Sequence, residues 1–187
     1  MIIDNSLVSY KDFLYDKEIK LSDNQEFIDF INAGHDFLIE NIKKGRPIYG
    51  VTTGYGEAGQ NYAAFEEAEE LQYNLFSFHG CGVGDYLSTE ISRIMMTIRL
   101  ISLAKGKSGV SYELLKRFEL LLRNKIYPLI PSQGSVGASG DLTPLSYIAA
   151  VIAGEREVVF QREQRSTESV YKELGITPYK FKPKEAL

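Results

Sequence analysis

Apolar residues recur every three or four positions through the middle of the chain, which is a helical period. Ser88-Thr89-Glu90-Ile91 opens one helix. It runs through Ala104 with Ile91, Ile94, Met95, Ile98 and Ile101 on one face and Gly106 at its end. Ser111 opens another, with Leu114, Leu115, Phe118, Leu121 and Leu122 turned inward; Pro128 and Pro131 close it. Upstream, the capping box Ser22-Asp23-Asn24-Gln25 starts a helix that puts Phe27, Ile28, Ile31, Phe37, Leu38 and Ile42 on its apolar face and ends at Gly45. A further helix spans Phe65 to Phe78, with Glu66, Glu67, Glu69 and Glu70 forming a solvated face in its first half.

Asp141 reads as the N-cap of the next helix, with Pro144 harmless inside its first turn. That helix continues through Ala153 and stops at Gly154. Glu157–Phe160 and Gln164–Ser166 read as a small hairpin around Arg162-Glu163, and Glu168–Leu174 as a short helix. Lys180, Lys182 and Lys184 suggest a solvated tail. Met1 to Ser22 has mixed polarity and room for a short strand or two, and Ile48–Val51 reads as another. The expected fold is mainly α, one domain over residues 1–187, with a few short strands.

Composition narrows the class. A chain of 187 residues can bury one sizeable core. The net charge of −4 and pI near 5.3 argue against a nucleic-acid surface. One cysteine, Cys81, excludes an intrachain disulfide and suits a reducing compartment; it reads as a packed small hydrophobe. Met1-Ile2-Ile3-Asp4 lacks the basic start of a signal peptide, and no apolar run approaches the ~20 residues that span a membrane. The expectation is a soluble cytoplasmic protein. His35 reads as an ordinary helical histidine.

Two glycine-rich stretches bear on chemistry. Gly134-Ser135-Val136-Gly137-Ala138-Ser139-Gly140-Asp141-Leu142 sets a small-residue loop on a helix N-terminus, the positive end of its dipole. A phosphate loop would need Gly-Lys-Ser/Thr at its end, and a nucleophile elbow would need glycine where Asp141 stands. The local pattern alone favours a plain connection between helices. Gly54-Tyr55-Gly56-Glu57-Ala58-Gly59 matches the dinucleotide fingerprint literally, but no strand–helix series surrounds it and no acidic residue follows at the required distance. His79 sits just before the turn Gly80-Cys81-Gly82, where a side chain can be presented to a pocket.

The longer string Gly134-Ser-Val-Gly-Ala-Ser-Gly-Asp-Leu-Thr-Pro-Leu-Ser146 resembles the signature of the aromatic amino acid ammonia-lyases, the histidine, phenylalanine and tyrosine lyases and related aminomutases. Tyr49-Gly-Val-Thr-Thr-Gly-Tyr-Gly56 resembles their second signature, with Tyr55 in place of the usual phenylalanine. The resemblance runs from about Gly45 onward. It implies the N-terminal domain of the ammonia-lyase fold. It implies that Ala138, Ser139 and Gly140 cyclise into a 4-methylidene-imidazol-5-one, so that no diffusible cofactor and no metal are needed. It makes Tyr49 the base that takes the β-proton, and sets Phe78, His79, Gly56 and Leu142 beside the substrate.

The pair Phe78-His79 mixes the ring-selectivity pairs of the family's branches. Thr52-Thr53 and Leu145-Ser146-Tyr147-Ile148-Ala149 look more like the phenylalanine lyases, which favours tyrosine or phenylalanine, with histidine close behind. The family is longer, forms homotetramers and continues into a central helical bundle that carries further substrate-contacting residues. The Lys184-Glu-Ala-Leu187 ending resembles the approach to its Asn-Gly-Thr segment. The chain therefore reads as an N-terminal portion, inactive by itself. Two other readings stand beside the lyase: an aminomutase, and a non-catalytic helical homologue acting as an interaction subunit.

Overall fold

A computed structural model describes residues 1–15, 18–54, 67–136 and 141–186. In chain order the elements are β1 (Ile2–Ile3), α1 (Tyr10–Tyr15), β2 (Lys20–Leu21), α2 (Gln25–Lys43), α3 (Glu67–His79), β3 (Val83–Tyr86), α4 (Thr89–Leu103), α5 (Tyr112–Arg123), β4 (Tyr127–Pro128), β5 (Pro131–Gln133), α6 (Leu142–Ile152), β6 (Glu157–Phe160), β7 (Glu163–Ser166) and α7 (Thr167–Leu174). The mainly helical expectation is met.

The core forms around α5. Ser111 Oγ accepts from Leu114 N at 3.4 Å and caps it. Leu114, Leu115, Phe118, Leu121 and Leu122 are all buried, as their spacing requires. α4 packs on α5 and is capped as expected, Ser88 Oγ accepting from Ile91 N at 3.3 Å. Its buried face is the other one, however: Ser92, Arg93, Met96, Thr97, Leu100 and Leu103. Ile91 and Ile98 are 44% and 48% exposed. The buried polar groups are satisfied. Ser92 Oγ donates to Pro128 O at 3.1 Å, Thr97 Oγ1 to Arg93 O at 2.8 Å, and Arg93 Nη2 to Leu14 O at 3.2 Å. Hydrogen-bonded polar residues enter a core cheaply, so apolar spacing alone chose the wrong face.

Other expectations shift in detail. Asn24, not the Ser22 box, caps α2, accepting from Glu26 N at 2.8 Å. Phe37 lies outside the buried stripe, while His35 lies in it with Nδ1 3.2 Å from Gly109 O. Ile48–Val51 is a turn, not a strand: Val51 N and Thr52 N both donate to Ile48 O at 3.0 Å. Cys81 is exposed. The hairpin turn falls on Gln161-Arg162, both at positive φ, one residue before the expected place.

The short strands tie the chain's distant parts together. β1 and β2 pair in parallel, β4–β6–β7 form an antiparallel sheet, and β3 pairs antiparallel with β5. α6 is apolar all round; its buried run from Tyr147 to Ile152 makes it a central helix, and α3 packs along it. The tail after α7 is docked rather than solvated. Tyr179 and Phe181 are buried, and the buried Glu185 carboxylate accepts from Ser111 N (3.0 Å), Ser111 Oγ (2.7 Å), Tyr179 Oη (2.8 Å) and Lys182 N (2.9 Å). Those four bonds offset the cost of burying a carboxylate. Among the described residues no helix is long and apolar enough to cross a membrane, and no cluster of His, Cys, Asp or Glu could hold a metal.

Candidate active site

The β3–β5 pair builds the site. β3 follows the turn that ends α3, and β5 leads into the glycine loop before α6. Val83 pairs with Gln133 and Tyr86 with Pro131. The turn after His79 is thereby laid against the start of the loop. The approach is close enough to demand glycine. A Cβ on Gly134 (φ 135°) would stand 3.0 Å from Gly82 Cα and 2.9 Å from Thr143 Cγ2. Backbone from the His79 turn and from the loop thus meet beside the Thr143 side chain of the first turn of α6.

The loop is pinched at its base. Asp141 adopts a left-handed conformation (φ 60°) at the start of α6. Its carboxylate does not cap the helix, contrary to expectation; Asp141 Oδ1 accepts from Ser135 Oγ at 2.5 Å. The carboxylate is thus drawn from the helix toward the loop's other strand. Leu142 is the first residue of α6 and half-buried. The positive end of the α6 dipole lies at Asp141, at the base of the loop. Ala138, Ser139 and Gly140 lie between the two latched residues in sequence, outside the described residues, as Gly56 does after the Tyr49 turn.

His79 ends α3 half-buried, with Nδ1 2.7 Å from Leu75 O. A carbonyl can only accept, so Nδ1 is assigned the proton. In the neutral ring Nε2 then presents a lone pair. Phe78 is 81% exposed beside it. Tyr147, buried on α6, donates its hydroxyl to Gly80 O at 3.2 Å and so bears on the same turn. In the sequence Tyr147 is legible only as part of a motif; a long-range contact to a backbone carbonyl leaves no local pattern.

Tyr49 rides on a stitched turn. Ile48 N donates to Thr52 Oγ1 at 2.8 Å and Gly50 N to Thr53 Oγ1 at 3.2 Å, with Gly50 at φ 68°. Val51, fully buried with Leu38 and Ile42, roots the turn on α2 in a second, smaller cluster. The Tyr49 side chain is 66% exposed. Thr52 and Thr53, read from the sequence as a hint of substrate class, hold the turn in shape. The described contacts join the His79 turn to the loop and seat the Tyr49 turn on α2.

The chain is similar over nearly its whole length to known proteins. A histidine ammonia-lyase of Shouchella clausii (strain KSM-K16) is 45% identical over 171 residues, 91% of this chain and 34% of that protein. Ergothionase from Treponema denticola, solved with desmethyl-ergothioneine sulfonic acid, superposes with a TM-score of 0.92 at 27% identity, over all of this chain and 38% of that one. Phenylalanine aminomutase from Pantoea agglomerans also gives 0.92, at 29% identity and over 36% of its chain. The chain thus spans about a third of the length of these relatives. The fold is that of the ammonia-lyases. The similarity also begins earlier than the motifs suggest: the aromatic amino acid lyase family model matches residues 8–187, and the chain belongs to that family.

Proposed function

We propose that these residues form the electrophile-bearing part of a carbon–nitrogen lyase that releases ammonia from an aromatic L-amino acid. The latched loop carries this reading: Ser135 and Asp141 close its base at 2.5 Å over the N-terminus of α6, and Ala138-Ser139-Gly140 lie within it. A loop drawn together at its base favours attack of the Gly140 nitrogen on the Ala138 carbonyl, loss of that carbonyl oxygen as one water, and loss of the Ser139 hydroxyl as a second. The 4-methylidene-imidazol-5-one so formed is an electrophile that turns an amino group into a leaving group.

The chain's own residues take the remaining roles. The α6 dipole stabilises negative charge arising at the loop. Tyr49, held out on its stitched turn, removes the β-proton. Leu142 and Gly56 border the substrate, and Phe78 offers an apolar wall for its ring. His79, protonated at Nδ1, accepts through Nε2 from the far end of that ring.

An acceptor there selects rings that carry a donor. The imidazole N–H of histidine and the phenol O–H of tyrosine qualify; phenylalanine does not. The motifs lean toward tyrosine or phenylalanine, while the relative at 45% identity is named a histidine ammonia-lyase. We take histidine as the substrate and tyrosine as the second reading. An aminomutase is a variant that the likeness to the Pantoea agglomerans enzyme keeps in view. The apolar side chains exposed on the surface, among them Ile98, Phe78, Tyr86 and Val136, support burial against further chain, as in a homotetrameric cytoplasmic enzyme.

The test joins residues 1–187 to the remaining two thirds of the Shouchella clausii enzyme. Urocanate-type absorbance from histidine is expected from the fusion and none from the 187-residue chain alone. Coumarate-type absorbance rising faster establishes tyrosine instead. Activity that survives Ser139→Ala refutes the electrophile, and a silent fusion that folds favours the non-catalytic homologue.

A further inference from the structure

The turn that carries His79 is gripped from outside the motifs. Arg156 lies between α6 and β6 with φ 64°, a left-handed conformation that costs a long side chain energy. Its carbonyl accepts two bonds from Thr167, a fully buried residue: from the backbone N at 2.8 Å and from Oγ1 at 2.9 Å. Those bonds hold Arg156 in the strained shape. Its guanidinium then lies over the Tyr147 ring, Cζ 4.2 Å from the centroid, and Nη2 donates to Gly80 O at 3.2 Å. Tyr147 Oη donates to the same oxygen at 3.2 Å and lies 3.5 Å from Gly82 O.

Gly80 leaves room for this grip. A Cβ there would stand 1.7 Å from Arg156 Nη2 and 2.6 Å from Cζ. The turn adds a bond of its own, Cys81 N donating to His79 O at 2.9 Å. Strained backbone held by buried partners is a feature that follows function more often than stability.

We propose that Arg156 and Tyr147 form a clamp that positions His79, and through it the ring-recognition end of the site. Among the described residues Arg156 reaches the Gly80 carbonyl and the Tyr147 ring, and it acts on His79 through that carbonyl. This rests on the ammonia-lyase reading only for what His79 recognises. The clamp itself is a statement about this chain.

Arg156→Gly separates positioning from plain structure. Glycine accepts φ 64° without strain, so the fold keeps or gains melting temperature while the guanidinium is lost. Losing a charge-assisted bond to Gly80 O raises the open population of the turn about tenfold. Amide hydrogen exchange of the 187-residue chain reads this at Cys81 N–H, whose protection is expected to fall about tenfold while that of α5 stays unchanged. Imidazole nitrogen shifts of His79 are expected to move from the Nδ1–H tautomer toward a mixture. Tyr147→Phe, which removes only a hydroxyl, is expected to give a smaller change of the same kind, about threefold. Arg156→Gly with unchanged Cys81 exchange and an unchanged His79 tautomer overturns the clamp. So does a fall in melting temperature with turn and core exchange rising equally, which marks Arg156 as a general stabiliser. The ammonia-lyase reading is tested elsewhere, by turnover of the fusion; failure there leaves the exchange result standing.

Discussion

Phe118 and Phe78 are both phenylalanines on helices, and they sit at opposite extremes. Phe118 is 5% exposed in the centre of the α5 core; Phe78 is 81% exposed at the end of α3. The same contrast separates two regions. α4, α5 and α6 supply much of the buried core. The outlying turns, that of Tyr49 on α2 and that of His79 beside the latched loop, expose Tyr49 and Phe78 and keep their backbone tied. Tyr49 is 66% exposed on a turn with two threonine stitches; His79 leaves a ring nitrogen free on a turn gripped by Tyr147. Stability resides in buried side chains. Readiness for chemistry resides in backbone held so that side chains face outward.

That contrast gives its largest measurable effect in the core. Phe76 is 1% exposed, between Tyr73 and Phe181. Phe76→Ala should cost about 3–5 kcal/mol in denaturant unfolding. Phe78→Ala, two residues along the same helix, should stay within about 0.5 kcal/mol. Equal losses would erase the distinction between core and outlying turns.

Next comes the docked tail. Glu185→Ala strips the acceptor from Ser111, Tyr179 and Lys182 and should cost about 2–3 kcal/mol. Limited proteolysis should then cut first after α7. A tail that stays protected would mean that Tyr179 and Phe181 hold it unaided.

Alkaline pH should weaken the packing of α7 and the tail. Burial raises the phenols of Tyr171 and Tyr179 well above the ordinary tyrosine value, and for Tyr179 the nearby Glu185 carboxylate adds to the rise. A folded-state pKa above the unfolded one leaves stability intact below the unfolded value, about 10, and drains it as pH climbs beyond. Thermal melts from pH 8 to 11 should fall above about pH 10. A flat profile across that range would contradict the assigned burial of these hydroxyls.

The core was legible because one physical rule writes it. Leu114, Leu115, Phe118, Leu121 and Leu122 follow the helical period and are buried as that period demands. α4 shows where the rule stops: two of its faces could be buried, and the hydrogen bonds of Ser92 to Pro128 O and of Arg93 to Leu14 O, set by residues distant in sequence, decided between them. The outlying turns were legible only as motif. Thr52 and Thr53 appeared as letters of a signature, and the structure gives them a task. Arg156 carried no signal at all; a positive φ and a reach to Gly80 exist only after folding.

A small effect on stability is also expected at the loop latch. Ser135→Ala removes the latch to Asp141 and, at an exposed position, should cost under about 1 kcal/mol. The same change should slow closure of the Ala138-Ser139-Gly140 ring, read as a growing fraction of unmodified protein in mass spectra of the fusion. A large stability loss with ring closure untouched would reverse the roles assigned to core and loop latch.

The most direct measurement is the intact mass of the fusion, with and without Ser139→Ala. The expected result is a protein lighter than its sequence by two water molecules, and a Ser139→Ala variant at full sequence mass without turnover. A fusion that carries its full sequence mass and still releases ammonia would contradict it.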